Sequence, residues 1–183
     1  MQSGVTKVNK TEAEYIQFEL ESDIRHAFVS GPFFDMPVES GLHNILTGNL
    51  LFILKMILQN TDFKIFTHDT RLKIPDEKIY YYPDLFVSTE EVNSNKFIYY
   101  SAILVAEILS AGTRSLDQFD KFSQYQKIPQ LKYHLLIEPI KKIIVLFSKN
   151  DQNEWSREFY HGAGKIINLP AINVRFKLAD LYD

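Results

Sequence analysis

The sequence predicts an α/β fold, a mixed, mostly antiparallel sheet flanked by helices, and three observations carry that expectation. Residues 40–59 repeat apolar side chains (Leu42, Ile45, Leu46, Leu50, Ile53, Leu54, Ile57) at three- and four-residue spacing, the period of an amphipathic helix. Downstream comes a succession of short segments rich in β-branched and aromatic residues, separated by turn formers. Within it, a helical pattern at 116–127 lies between two strand patterns, as in a strand–helix–strand crossover. The 183 residues suit one domain, expected to span 1–183.

Each element has a local reason. Thr11 opens a first helix that runs to about Glu21. With Glu14 it makes a capping box, and Tyr15, Phe18 and Leu20 are expected to face inward. Residues 26–29 and 32–36 flank Ser30-Gly31 and read as a short hairpin. Asn60-Thr61-Asp62 stops the long helix. Strands are expected at 63–67, 70–74, 79–88 and 98–110, and Ile128-Pro129 ends the helix at 116–127. Further strands follow at 133–137, 143–148, 155–160, 165–167 and 174–176. Gly162-Ala163-Gly164-Lys165 lacks the spacing of a phosphate loop and the hydroxyl after its lysine, and reads as a turn.

Bulk composition narrows the function classes. The chain carries 20 basic and 23 acidic residues, a net charge of -3, which weighs mildly against tight non-specific binding of nucleic acid. An enzyme with a local basic strip remains compatible with it. The absence of cysteine excludes disulfides, thiolate zinc sites and cysteine nucleophiles, and suits a cytoplasmic protein. The N-terminus shows no basic patch followed by an apolar run, so no secretory signal is expected. Uninterrupted apolar runs such as 50–54 and 102–106 are too short to cross a bilayer. The histidines show no zinc-hydrolase spacing, and no Gly-x-Ser-x-Gly elbow occurs.

Three pieces carry chemistry: Tyr82-Pro83-Asp84-Leu85-Phe86-Val87, then Ile103-Leu104-Val105-Ala106-Glu107-Ile108-Leu109-Ser110, then Asp117 to Tyr125 with Lys121 and Tyr125 one helical turn apart. A carboxylate among apolar strand neighbours costs several kcal/mol unless a cation or hydrogen bonds compensate it. Two of them on successive strands make an oxygen-ligand site for Mg²⁺ or Mn²⁺. Taken singly, each has a structural alternative. Asp84 can belong to a Pro-Asp turn, Glu107 can pair with a Lys or Arg, and Lys121 can pair with Asp117 on a solvated helix face. The aromatic runs Tyr80-Tyr81-Tyr82 and Tyr99-Tyr100 can stack on bases or pack across strands.

The order Pro-Asp, then Val105-Ala106-Glu107-Ile108-Leu109-Ser110-Ala111-Gly112-Thr113-Arg114, then Asp117-x-x-x-Lys121-x-x-x-Tyr125 resembles the Uma-two type of restriction-endonuclease-like family within the PD-(D/E)XK nuclease superfamily. Lys132 to Pro139 and Glu39-Ser40-Gly41-Leu42-His43 resemble further parts of that pattern. The resemblance covers residues 15–181. Departures are Leu109, where the superfamily has its namesake lysine, the hairpin Arg25 to Gly31, and Glu138 in place of Asp.

The resemblance implies a restriction-endonuclease-like fold and metal-assisted hydrolysis of DNA. Asp84 and Glu107 would hold Mg²⁺ or Mn²⁺ with the Ile108 carbonyl as a third ligand. Lys121 would take the part of the missing strand lysine, orienting the attacking water or stabilising the transition state. Tyr125 would anchor Lys121 or touch the DNA backbone, unless it is a core tyrosine. His43 could approach metal or phosphate, or cap its helix. Ser110, Thr113 and Arg114 could bind phosphate, or serve as helix caps. Two functional classes stay open: a divalent-metal-dependent endonuclease, and a catalytically weak or inactive nuclease-fold module that binds DNA or a partner, with a homodimer open to either.

Overall fold

The computed structural model describes residues 5–6, 9–36, 38–93, 97–109 and 116–183. After β1 (Val5–Thr6), Thr11 caps α1 (Glu12–Glu21). Its hydroxyl accepts from the Glu14 amide at 3.3 Å, and the Glu14 carboxylate accepts from the Thr11 amide at 2.7 Å. Tyr15 is buried as expected, but Leu20 is exposed and Glu19 takes the inward place. The exchange is stable because Glu19 is satisfied. It accepts from the His26 amide at 2.9 Å and the Tyr82 hydroxyl at 2.8 Å, and meets His26 Nδ1 at 2.9 Å.

The hairpin β2 (His26–Val29) and β3 (Phe33–Asp35) turns at Ser30 and Gly31, both at positive φ (53° and 127°). Gly31 supplies a conformation that a side chain would strain. Ser40 caps α2 (Gly41–Leu58) by accepting from the His43 amide at 3.2 Å. Leu46, Leu50, Leu54 and Leu58 form its buried stripe, whereas Leu42 and Ile45, which share the apolar period, face outward.

Strands β4 (Lys64–Thr67), β5 (Arg71–Lys73), β6 (Ile79–Tyr81), β7 (Leu85–Ser88), β8 (Ile98–Tyr99) and β9 (Leu104–Ile108) lead to α3 (Leu116–Tyr125). Then come β10 (Tyr133–Glu138), β11 (Ile143–Lys149), β12 (Trp155–His161), the hairpin β13 (Ile166–Leu169) and β14 (Val174–Lys177), and a short α4 (Leu178–Tyr182) that periodicity did not reveal.

Twelve of the described strands divide between two six-stranded sheets, ordered β1-β3-β2-β6-β5-β8 and β12-β11-β10-β9-β7-β4, and β13 pairs with β14 apart from both. Only β5 with β8 and β9 with β10 run parallel among the described pairs, the latter joined through α3 as the crossover pattern predicts. The segments expected as single long strands at 79–88 and 98–110 each break and pass from one sheet to the other. At the first break Pro83 has no N–H to give a ladder. At the second, the Tyr100 amide donates to Glu90 Oε1 at 2.7 Å and the Ser101 amide donates to the same oxygen, so a side chain replaces the strand partner.

Alternation then sorts the core. Leu85, Val87, Leu104, Ala106, Leu135 and Ile137 pack on the α2 face of the second sheet. Phe86 and Val105 point the other way, into a cluster with Tyr125, Ile128 and Leu131 at the α3 end.

Candidate active site

The site forms where β7 and β9 meet. Their antiparallel register pairs Leu85 with Ala106 and Phe86 with Val105, and one further step sets Asp84 across from Glu107. The two carboxylates named from the sequence therefore lie at the same level of adjacent strands, with different neighbours.

On the Asp84 side, Oδ2 accepts from the Ile108 backbone amide at 2.7 Å and lies 3.0 Å from His43 Nε2. Glu39 Oε2 is 3.6 Å from the same imidazole nitrogen. Ligand atoms of Glu39, His43 and Asp84 all fall within 4.8 Å of one another. His43 is buried, and its Nε2 meets Asp84 Oδ2 at hydrogen-bond distance, though at an imperfect angle. Burial alone would lower the His43 pKa, but Asp84, with Glu39 and Glu107 behind it, outweighs burial and raises it. The Glu39 carboxyl is also raised, chiefly by burial and further by Asp84, against the opposing pull of His43 and Lys121. Negative charge is thus crowded at a half-buried point where a cation would relieve it.

On the Glu107 side, α3 presents two groups one turn apart. The Tyr125 hydroxyl donates to Glu107 Oε1 at 2.7 Å, and Lys121 Nζ lies 3.6 Å from Oε2. Lys121 also sits over the Tyr81 ring at 5.9 Å, close enough for a cation–π attraction. Tyr125 is fully buried. Burial, together with the negative Glu107, pushes its hydroxyl well above the usual tyrosine range, so it remains a donor.

The structure thus brings Asp84, Glu107, Lys121, His43 and Tyr125 to one end of two adjacent strands. Ile108 joins them through its backbone amide, which donates to Asp84. Ser110, Thr113 and Arg114 lie outside the described residues, as does the side chain of Asp117. Glu39 was missed as a ligand candidate. Its signal was the four-residue interval to His43 across the helix cap, which places both on one side of the first turn. His134 was missed too. It is fully buried on β10, stacked on Phe122 at 5.1 Å, and burial, reinforced by Lys121, pushes it down to about 3.

Two carboxylates and a buried imidazole that meets both are a donor set that fits Mn²⁺ or Mg²⁺, the imidazole favouring the softer Mn²⁺.

Comparison with known proteins agrees with this fold. A crystal structure of a "putative nuclease belonging to DUF820" from Anabaena variabilis superposes with a TM-score of 0.76 at 15% identity, covering 94% of this chain and 97% of that one, and shows a shared fold. Two proteins of Synechocystis are similar in sequence. "Uncharacterized protein sll1609" is 31% identical over 79% of this chain and 84% of its own length, and "Uncharacterized protein slr1290" is 28% identical over 92% and 89%. Residues 12–179 match the family described as "Uma2: Putative restriction endonuclease". That match, spanning almost the whole fold and both sides of the site, shows that the chain belongs to the Uma2 restriction-endonuclease-like family.

Proposed function

We propose that the protein is a divalent-metal-dependent endonuclease that hydrolyses DNA phosphodiester bonds. The observation that carries this reading is the meeting of Glu39, His43 and Asp84 with Glu107 and Lys121 at one level of β7 and β9. Mg²⁺ or Mn²⁺ held there would neutralise charge on the phosphoryl oxygens and ease deprotonation of the attacking water.

The residues themselves do the rest. The Ile108 amide holds Asp84 Oδ2, which fixes that carboxylate and leaves Oδ1 for a ligand. Tyr125 holds Glu107 Oε1 in the same way, leaving Oε2 toward Lys121. Lys121 contributes a positive charge beside the carboxylates, near enough to stabilise a phosphorane-like transition state. Its present contact with Glu107 would be exchanged for a phosphate oxygen when substrate enters.

The second reading is a catalytically weak or inactive nuclease-fold module that binds DNA or a partner; the net charge of -3, which leaves few cations to hold a phosphate backbone, favours its partner-binding form. Incubation of supercoiled plasmid with purified protein and Mn²⁺ or Mg²⁺ separates the two. Nicking that chelator abolishes, and that Asp84→Asn lacks, supports the enzyme. DNA binding that survives chelation with no cutting by the wild type supports the module.

A further inference from the structure

The face of the second sheet that carries Glu107 continues past the site to the edge strand β12. Register sets Glu107 beside Leu136, Leu136 beside Val145, and Val145 beside Phe159, in one row across four strands. Glu107 and Leu136 are buried, Val145 is half-buried and Phe159 is 63% exposed, so the row is an apolar floor that opens outward. At about 4.8 Å per strand it runs about 14 Å, the reach of a few nucleotides.

An exposed phenylalanine by itself means little. Phe159 is set apart by what surrounds it. The Arg157 guanidinium lies over its ring at 5.0 Å, and strand alternation puts Arg157, Phe159 and His161 on one face. Glu158 falls on the other face, where it accepts from the Tyr160 hydroxyl at 2.9 Å. Beyond the row, the turn between β10 and β11 carries Lys141 and Lys142. With His161 they line a cavity of about 280 Å³ whose described walls hold Asp183 as their single acid. Because β9 and β10 run parallel, this turn lies at the end of the sheet where Glu107 lies.

Cations beside an exposed ring suit a nucleic-acid single strand, whose phosphates meet the charges while its bases stack on the ring. In a duplex the base faces already stack on one another, and holding one relies on cations, which a net charge of -3 leaves scarce. Stacking needs no charge. We propose that Phe159, backed by Arg157, is a base-stacking platform, and that the substrate of the site is single-stranded or locally unpaired DNA. This inference rests on the reading of Asp84 and Glu107 as a centre that cuts DNA.

The test is fluorescence anisotropy of the full chain with labelled oligo(dT) of about 12 nucleotides and with a duplex of equal length, in Ca²⁺ at low salt. The wild type should bind the single strand at least about tenfold more tightly than the duplex. Phe159→Ala should weaken oligo(dT) binding at least about fivefold, the loss of one stacked base, and leave duplex binding unchanged. Phe159→Leu keeps an apolar side chain without a ring and should bind like Phe159→Ala, whereas Phe159→Trp should bind like the wild type. Since Phe159 is mostly exposed, all three should fold and melt like the wild type by circular dichroism. Equal affinity for the two DNAs, or oligo(dT) binding undiminished in Phe159→Ala, overturns the proposal whether or not plasmid is nicked. A wild type that binds oligo(dT) through Phe159 yet cuts no DNA with Mg²⁺ or Mn²⁺ upholds the platform and sinks the nuclease reading instead. A wild type that binds neither DNA also overturns the proposal, and a sedimentation shift in Phe159→Ala would then assign the β12 edge to a second copy.

Discussion

The backbone amide of Ile108 donates a 2.7 Å hydrogen bond to Asp84 Oδ2, tying the end of β9 to the carboxylate that precedes β7. Because the donor is main chain, it survives a substitution at 108 by any residue but proline. An asparagine at 84 can accept the same bond through its amide oxygen while carrying no charge.

Asp84→Asn should therefore leave the melting temperature nearly unchanged and weaken Mn²⁺ binding at least about tenfold, as read by calorimetry. Glu39→Gln should weaken it comparably if Glu39, His43 and Asp84 form the cation site. If Glu107→Gln abolishes binding while Glu39→Gln does nothing, the ion sits on the Glu107 side and the Glu39 assignment fails.

Lys121→Ala should lower the cleavage rate by roughly 10²–10³-fold, the usual loss when one preorganised charge-stabilising group is removed. Lys121 and Glu107 are both largely covered, with 21% and 12% of their side chains accessible, so removing the cation also leaves a covered carboxylate less compensated, and the variant should fold but melt below the wild type. Cutting that continues undiminished in Lys121→Ala would assign the reaction to another group or to a contaminant.

Tyr125→Phe removes a fully buried hydroxyl that donates to Glu107 Oε1. Leaving a carboxylate oxygen without that donor should cost about 1.5–3 kcal/mol, measurable by urea unfolding. A loss below about 0.5 kcal/mol would mean that Glu107 finds a replacement donor and that Tyr125 is a packing residue.

His134 gives a pH dependence whose sign follows from burial. Its pKa in the fold is pushed down to about 3 from an ordinary value of 6.5, so below pH 6.5 the unfolded chain takes up a proton that the native protein refuses. Stability is complete above that pH and erodes as pH falls toward 3, with a slope approaching about 1.4 kcal/mol per pH unit from this residue. Chemical denaturation at pH 7 and pH 5 should register the difference, and His134→Phe should flatten it. Equal slopes in both proteins would show that His134 does not set the acid sensitivity.

What could be read in the sequence depended on whether the deciding interaction was local. The capping box of Thr11 and Glu14, the start of α2 at Ser40 and the crossover through α3 are short-range patterns, and they appear where expected. The apolar period of α2 located the helix but could not say which flank the sheet would cover, so Leu42 and Ile45 came out on the exposed side. Glu19 displaced Leu20 from the interior because His26 and Tyr82, distant in sequence, supply its donors. The split of 98–110 was hidden for the same reason, since Glu90 takes amides that a longer strand would have paired. At the site, Asp84, Glu107 and Lys121 stood out through residue order and resemblance. Glu39 acquires its meaning only once α2 brings its cap beside the end of β7.

The passage of the chain between sheets at Tyr82-Pro83 and again at 100–103 makes the molecule hard to divide. One sheet draws its strands from residues 5–99 and the other from 64–161, so the two overlap along the chain. No cut between 64 and 99 leaves both sheets whole, and Asp84 lies within that overlap. A fragment or a fusion junction placed there would break architecture and chemistry together. This part of the chain can therefore be passed on, or lost, only as a unit.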